Sequence, residues 1–334
     1  DVQLAGLVVD PNFVWKKQTV TIAFLNGDYK ERLEFRKIYF EWFKCSHIHF
    51  IEAPLNQSAD IRVGFGLDKG RSWSLIGSLS TEYSVNLTSG KVYRDFKRDF
   101  HPSMVIASVS RRSILHEGGH SLSAKHEHGH ALANISWHPY FTNGKMFPQM
   151  TIDYIQNNYL QTFPLNQSLG PFDKKSVMLY KIFPAMTTDN FSSNLNEDIS
   201  MNDQFYSSQI YRHFFDNDYK QCEKKIYPGK SNVQIALECY TTWYTQCMRF
   251  VRDGEFCEHH RNPWKEYQYF LWVKNETLPL PYRRVQTNGT IIVIILLLVL
   301  LVCICALLVW QHRRLRRIER YLTSPGQQLS RSEL

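Results

Sequence analysis

Apolar and polar positions alternate along Thr19–Leu25 (TVTIAFL), which predicts a strand with one buried face. The period then changes. Leu33, Ile38, Phe40 and Phe43 recur at helical spacing within Tyr29–Lys44. His47–Glu52 and Asp60–Phe65 (DIRVGF) again read as strands, and another is expected near Leu75–Leu79. A long helix is expected over about Ser103–Leu122. From Gly129 to Phe172 the chain is loop-rich, with one helix expected over Ile152–Phe163 and a last one over Asn202–Phe214. Strand, helix, two strands and then a long helix make a mixed pattern with its sheet formed early, and an α+β domain is expected.

Ile291–Trp310 (IIVIILLLVLLVCICALLVW) departs from this patterning: it has twenty residues and no charge. As a helix it is about 30 Å long, the thickness of a bilayer's hydrocarbon core, so one transmembrane helix is expected there. Arg313, Arg314, Arg316, Arg317 and Arg320 follow it closely, against Arg283 and Arg284 before it. The positive-inside rule then puts the C-terminus in the cytosol and residues 1–290 outside, a single-pass type I arrangement. Cys303 and Cys305, inside the span, read as apolar packing, with lipidation the alternative. Sequons at Asn56, Asn86, Asn134, Asn166, Asn190, Asn275 and Asn288 all lie on the outer side, as a glycosylated ectodomain requires. Asn288 lies so close to the bilayer that it is expected to stay unmodified. A chain opening on Asp1 without methionine is expected to lack a leading segment.

Charge adds little beyond this. The net charge is +8, and the last 24 residues supply half of it through six arginines against two glutamates. The remainder shows no basic stripe, so no nucleic-acid partner is expected. Cysteines add more. Cys222, Cys239, Cys247 and Cys257 cluster without the C-x(2–4)-C pairs of a zinc site, and in an oxidising compartment they read as two disulfides of three possible connectivities. Cys45 reads as a buried thiol. The expected organisation is a catalytic domain over 1–216, a small disulfide-stapled juxtamembrane module over 217–290, the span over 291–310 and a basic tail over 311–334.

The chemistry concentrates in Ile114–His130, ILHEGGHSLSAKHEHGH. His116 and His120, four apart on a helix, share a face and can share a tetrahedral metal. Glu117 between them is placed to act as general base toward a metal-bound water. His126 is the candidate third ligand. On a continuous helix it would lie about 9 Å beyond His120, too far to share one ion. The helix must therefore end and the chain turn back near residues 122–124. Zincins of this spacing carry glycine at the turn, where this chain has Ser123. Gly118 is a further departure, a glycine where a large apolar residue is expected. An alternative cluster is His126, His128 and His130, which share a face if extended. His138 reads as a surface residue, and Glu127 as a partner of a ligand histidine or of a buried chain end.

The segment resembles the metzincin zinc motif, and its His126-Glu127-His128 ending is similar to astacin-like enzymes, particularly the secreted fungal and bacterial group. Ser176-Val177-Met178-Leu179-Tyr180 resembles the astacin-type Met-turn. Phe172-Asp173-Lys174-Lys175 and Ile199-Ser200-Met201-Asn202-Asp203 also resemble segments of that group. So do Ala59–Val63 and Trp73–Gly77, which look like the strand pair preceding the zinc helix. The resemblance covers roughly residues 15–215. It implies a zincin fold, one catalytic zinc, Met178 beneath the metal and Tyr180 as ligand or oxyanion donor. It also implies a peptide or protein substrate lying antiparallel to an edge strand near Ser74–Leu79. The expected activity is zinc endopeptidase. Two rivals stay open: an inactive metzincin-like adhesion or receptor protein, for which Gly118 and Ser123 speak, and a zinc hydrolase of non-peptide substrates. Scissile-bond preference and oligomeric state are not legible.

Overall fold

A computed structural model describes residues 7–54, 58–87, 91–94, 101–214 and 243–259. Of the chain's two compact units, Asp1–Tyr282 and Arg283–Leu334, all of these belong to the first. The expected membrane span, the basic tail, Cys222 and Cys239 lie outside the described residues. Among the described residues no helix is long and apolar enough to cross a membrane.

After the short β1 (Leu7–Val8), the alternating segment forms β2 (Thr19–Phe24) and the next two form β3 (His49–Glu52) and β4 (Ile61–Phe65). They join β8 (Met104–Ile106) and β5 (Trp73–Ser74) in a sheet ordered β3-β2-β4-β8-β5. The first four strands run parallel, and β5 closes one edge antiparallel, Trp73 opposite Val105 and Ser74 opposite Met104. Parallel strands need both faces covered, and β4 is accordingly buried along its whole length. Two ribbons, β6 (Tyr83–Val85) with β7 (Val92–Arg94) and β1 with β9 (Ser168–Leu169), complete the strands.

Five expected elements have other bounds in the structure. The long helix expected over Ser103–Leu122 divides: Met104–Ile106 is strand β8, and the helix α3 (Arg111–Ser121) starts only where the Ser110 side chain accepts from the Ser113 amide. A run of Met, Val and Ile between two strands is worth more to the sheet than to a helix end. The Tyr29–Lys44 helix is two, α1 (Tyr29–Tyr39) and α2 (Glu41–Ser46), meeting at Phe40. The strand expected at Leu75–Leu79 is the shorter β5, followed by a 3-10 turn over Gly77–Thr81. After the short α4 (Pro139–Thr142), the later helices are α5 (Ile152–Asn158) and α6 (Met201–Ile210).

α1 and α3 cover the sheet through one hydrophobic core that includes Phe24, Phe35, Phe65, Trp42, Leu115 and Met178. A second cluster gathers Phe141, Ile155, Tyr159, Leu179, Ile182 and Met186. Met178 and Leu179 are neighbours in sequence yet serve different clusters, so the Met-turn segment bridges the two. Residues 243–250 form a further helix, α7, and Gly254–His259 forms α8. Cys247 and Cys257 are bonded to each other, one of the pairings the sequence allows. Trp243, Phe250 and Val251 belong to the same core as the sheet, the Phe250 ring centroid lying 5.7 Å from that of Phe50. Cys45 is buried, its thiol toward the Glu41 carbonyl.

Candidate metal centre

The end of α3 decides whether a third histidine can reach the first two. Leu122 caps the helix, and Ser123 follows in the left-handed region at φ 72°. The Ser123 amide bonds the His120 carbonyl at 2.9 Å and the Ala124 amide bonds Gly119 at 3.0 Å, the paired pattern of a Schellman turn. Serine replaces the usual glycine because the turn is pinned from outside. Ser123 Oγ donates to the Phe13 carbonyl at 2.6 Å, and the Asp10 amide donates to the Ser123 carbonyl at 2.9 Å. Tyr211 Oη donates to Leu122 O at 3.1 Å, and the Lys125 amide bonds Val8 O at 2.8 Å.

The chain thereby doubles back and brings His126 Nε2 to 3.1 Å from His120 Nε2. The ligand atoms of His116, His120 and His126 all lie within 4.8 Å of one another. His116 Nδ1 lies 2.9 Å from the Val177 carbonyl and His120 Nδ1 2.8 Å from the Ala124 carbonyl. A carbonyl only accepts, so each Nδ1 carries the proton and each Nε2 presents a lone pair inward. Burial holds His116 and His126 well below the ordinary imidazole pKa and lowers His120 to about 4, although its carbonyl partner pulls the other way. Three neutral imidazoles with converging lone pairs suit a cation. Two imidazoles on one tetrahedral zinc stand about 3.3 Å apart, and the His120–His126 pair has nearly that spacing.

Around the triad, Glu117 is buried, its Oε2 without a hydrogen-bond partner. Burial raises it to about 8, with the Arg112 charge working the other way. The Tyr180 ring lies tilted, its centroid 4.1 Å from that of His126 and 5.6 Å from that of His116, and burial raises its phenol so that it stays protonated. Met178 is fully buried under α3, with its sulfur against Gly119. Its turn is held by Asp203, which accepts from Ser176 Oγ at 2.7 Å and the Val177 amide at 2.9 Å. Gly118 is explained too: a Cβ there would stand 2.6 Å from Trp42 Nε1, which donates to Leu115 O.

The other histidines are employed elsewhere. His128 Nε2 lies 2.6 Å from the Asn158 carbonyl, His130 Nδ1 accepts from the Leu132 amide, and His138 caps α4. Among the described residues the alternative cluster of His126, His128 and His130 is not formed. Glu127 is fully buried and its Oε1 accepts from the Asp173 amide at 2.9 Å. Sequence reasoning missed Arg112, whose guanidinium reaches the Leu179 carbonyl while Nε and Nη1 stay buried without partners. Its spacing of four from His116 was the available signal. It also missed Trp42, for which no local signal exists.

No protein-family profile matches the chain, and no curated protein matches it. Among solved structures, one of myroilysin superposes with a TM-score of 0.52 at 24% identity, covering 62% of this chain and 98% of that one. A second myroilysin crystal structure gives 0.41 at 24% identity, over 60% and 86% of the two chains. High choriolytic enzyme 1, a hatching enzyme zinc-protease from Oryzias latipes (medaka fish), gives 0.39 at 14% identity, over 60% and 95%. Only the first is close enough to bear on architecture. The chain shares the fold of that myroilysin structure, a mixed sheet with helices.

Proposed function

We propose that the chain is a zinc endopeptidase. The single observation carrying this reading is the return of His126 to within 3.1 Å of His120, beside the partnerless carboxylate oxygen of Glu117. His116, His120 and His126 would hold the ion. Bound zinc supplies a Lewis acid that polarises the scissile carbonyl and makes water acidic near neutral pH. Glu117 takes the proton of the attacking water on a carboxylate oxygen and passes it to the leaving amine. Tyr180, kept protonated by burial, donates its Oη–H to the oxyanion. β5 lies at the sheet edge, where an extended peptide adds antiparallel through backbone hydrogen bonds. Support for activity over an inactive scaffold comes from Ser123 and Gly118. The first completes a bonded turn and the second makes room for Trp42.

Glu117→Ala is expected to bind zinc stoichiometrically and to lose roughly 10²–10⁴-fold in peptide hydrolysis. Wild-type rates from that variant would overturn the mechanism. Membrane anchoring through residues 291–310 is part of the same proposal, supported by their hydropathy and the arginines after them. The exposed sequon residues Asn134, Asn166 and Asn190 suit a glycosylated ectodomain. The full chain should stay in membranes through alkaline carbonate extraction, and its release would refute the anchor.

A further inference from the structure

A cavity of about 530 Å³ opens at the start of α1, lined by Gly27, Tyr29, Arg32, Arg36, Glu52 and Arg252. It shares no residue with the histidine site. Three guanidiniums face one carboxylate, a local charge of +2. Glu52 Oε2 accepts from Arg36 Nη1 at 3.0 Å and lies 3.3 Å from Arg252 Nη1, so one oxygen serves two arginines. Arg32 Nε is fixed by the carbonyls of Asn26 and Gly27 at 3.2 and 3.0 Å. The Arg36 side chain is only 5% exposed, yet its Nε has no partner. Burial lowers the Arg36 pKa, and the Arg252 and Arg32 charges add to that while Glu52 opposes it.

A structural ion pair alone would need one arginine for Glu52. Two more in the same cavity repel it and each other, and a buried charged donor left unbonded is costly. We propose that this cavity binds a doubly charged oxyanion group, a phosphate carried on a small polar molecule. Guanidinium forks match the oxygen spacing of such groups, and two negative charges neutralise the excess. The volume far exceeds a bare tetrahedral ion and falls in the range of small-molecule sites. Arg252 lies between Cys247 and Cys257, so the ligand would tie the disulfide-closed segment to α1 and β3.

The test is calorimetric titration of the full chain in neutral detergent, at constant ionic strength in chloride. The probes are inorganic phosphate, inorganic sulfate and glucose 6-phosphate. Saturable binding of at least one probe is expected, weakened about tenfold or more in Arg252→Gln and unchanged in Lys145→Gln, a charge control on an exposed loop. Binding by the sugar phosphate alone would identify an esterified group, and binding by the inorganic ions as well would extend the site to free anions. Arg32→Gln, which leaves the disulfide segment untouched, serves as the second variant if Arg252→Gln fails to fold. Absence of saturable binding by every probe, or wild-type affinity in the folded variants, would overturn the proposal.

Discussion

Ser123 sits at φ 72°, a region that costs a residue with a Cβ on the order of 1 kcal/mol. Its hydroxyl bond to Phe13 is worth about as much, so the turn stands without glycine. Glu117 shows the same dependence on surroundings. Without metal its carboxyl is raised to about 8, so at pH 7 it holds a proton, whereas the three depressed imidazoles hold none. A dication beside it stabilises the carboxylate and drives the proton off. Zinc binding at pH 7 should therefore release about one proton, and affinity should fall as pH drops from 8 toward 6. Calorimetry in buffers of different ionisation enthalpy reads this number. Glu117→Ala should release almost none, and equal release from the variant would assign the proton elsewhere.

At the scale of elements, α3 is a helix adapted to two neighbours. Gly118 admits Trp42 and Gly119 admits Met178, so two glycines that weaken the helix locally let it approach α2 and the Met-turn closely. In Gly118→Ala the gain in helix propensity is about 1 kcal/mol. Overpacking against the Trp42 indole, at 2.6 Å, is expected to cost about 1–3 kcal/mol and to win. Urea denaturation should show a lower midpoint with unchanged slope, and a stabilised variant would mean that Trp42 moves freely. Asp203 links α6 to the site: it caps that helix through Ser200 and holds the Ser176–Val177 turn. The Ile199–Asp203 segment leading into α6 thus has a physical reason, since one carboxylate serves both elements.

For the whole molecule, the described part of the cysteine segment is not a separate body. Phe250 is fully buried and lies near Tyr39, Phe40 and Phe50, and Lys37 pairs with Asp253 at 2.7 Å. Phe250→Ala should cost about 3–5 kcal/mol and lower one cooperative transition reported alike by tryptophan fluorescence and far-ultraviolet dichroism. Two separated transitions would show that the segment folds independently. By itself, the sequence determined the strands β2, β3 and β4, the zinc-motif residues and their spacing, because period-two alternation and the four-residue histidine repeat are local properties. It also carried the apolar span, which is a statement of composition. Tertiary structure alone decided that Met104–Ile106 is sheet, that Gly118 is a packing site and that Phe250 shares the main core. It alone decided, too, that Ser123 can turn the chain, because Phe13, Asp10, Val8 and Tyr211, which hold that turn, come from distant parts of the sequence.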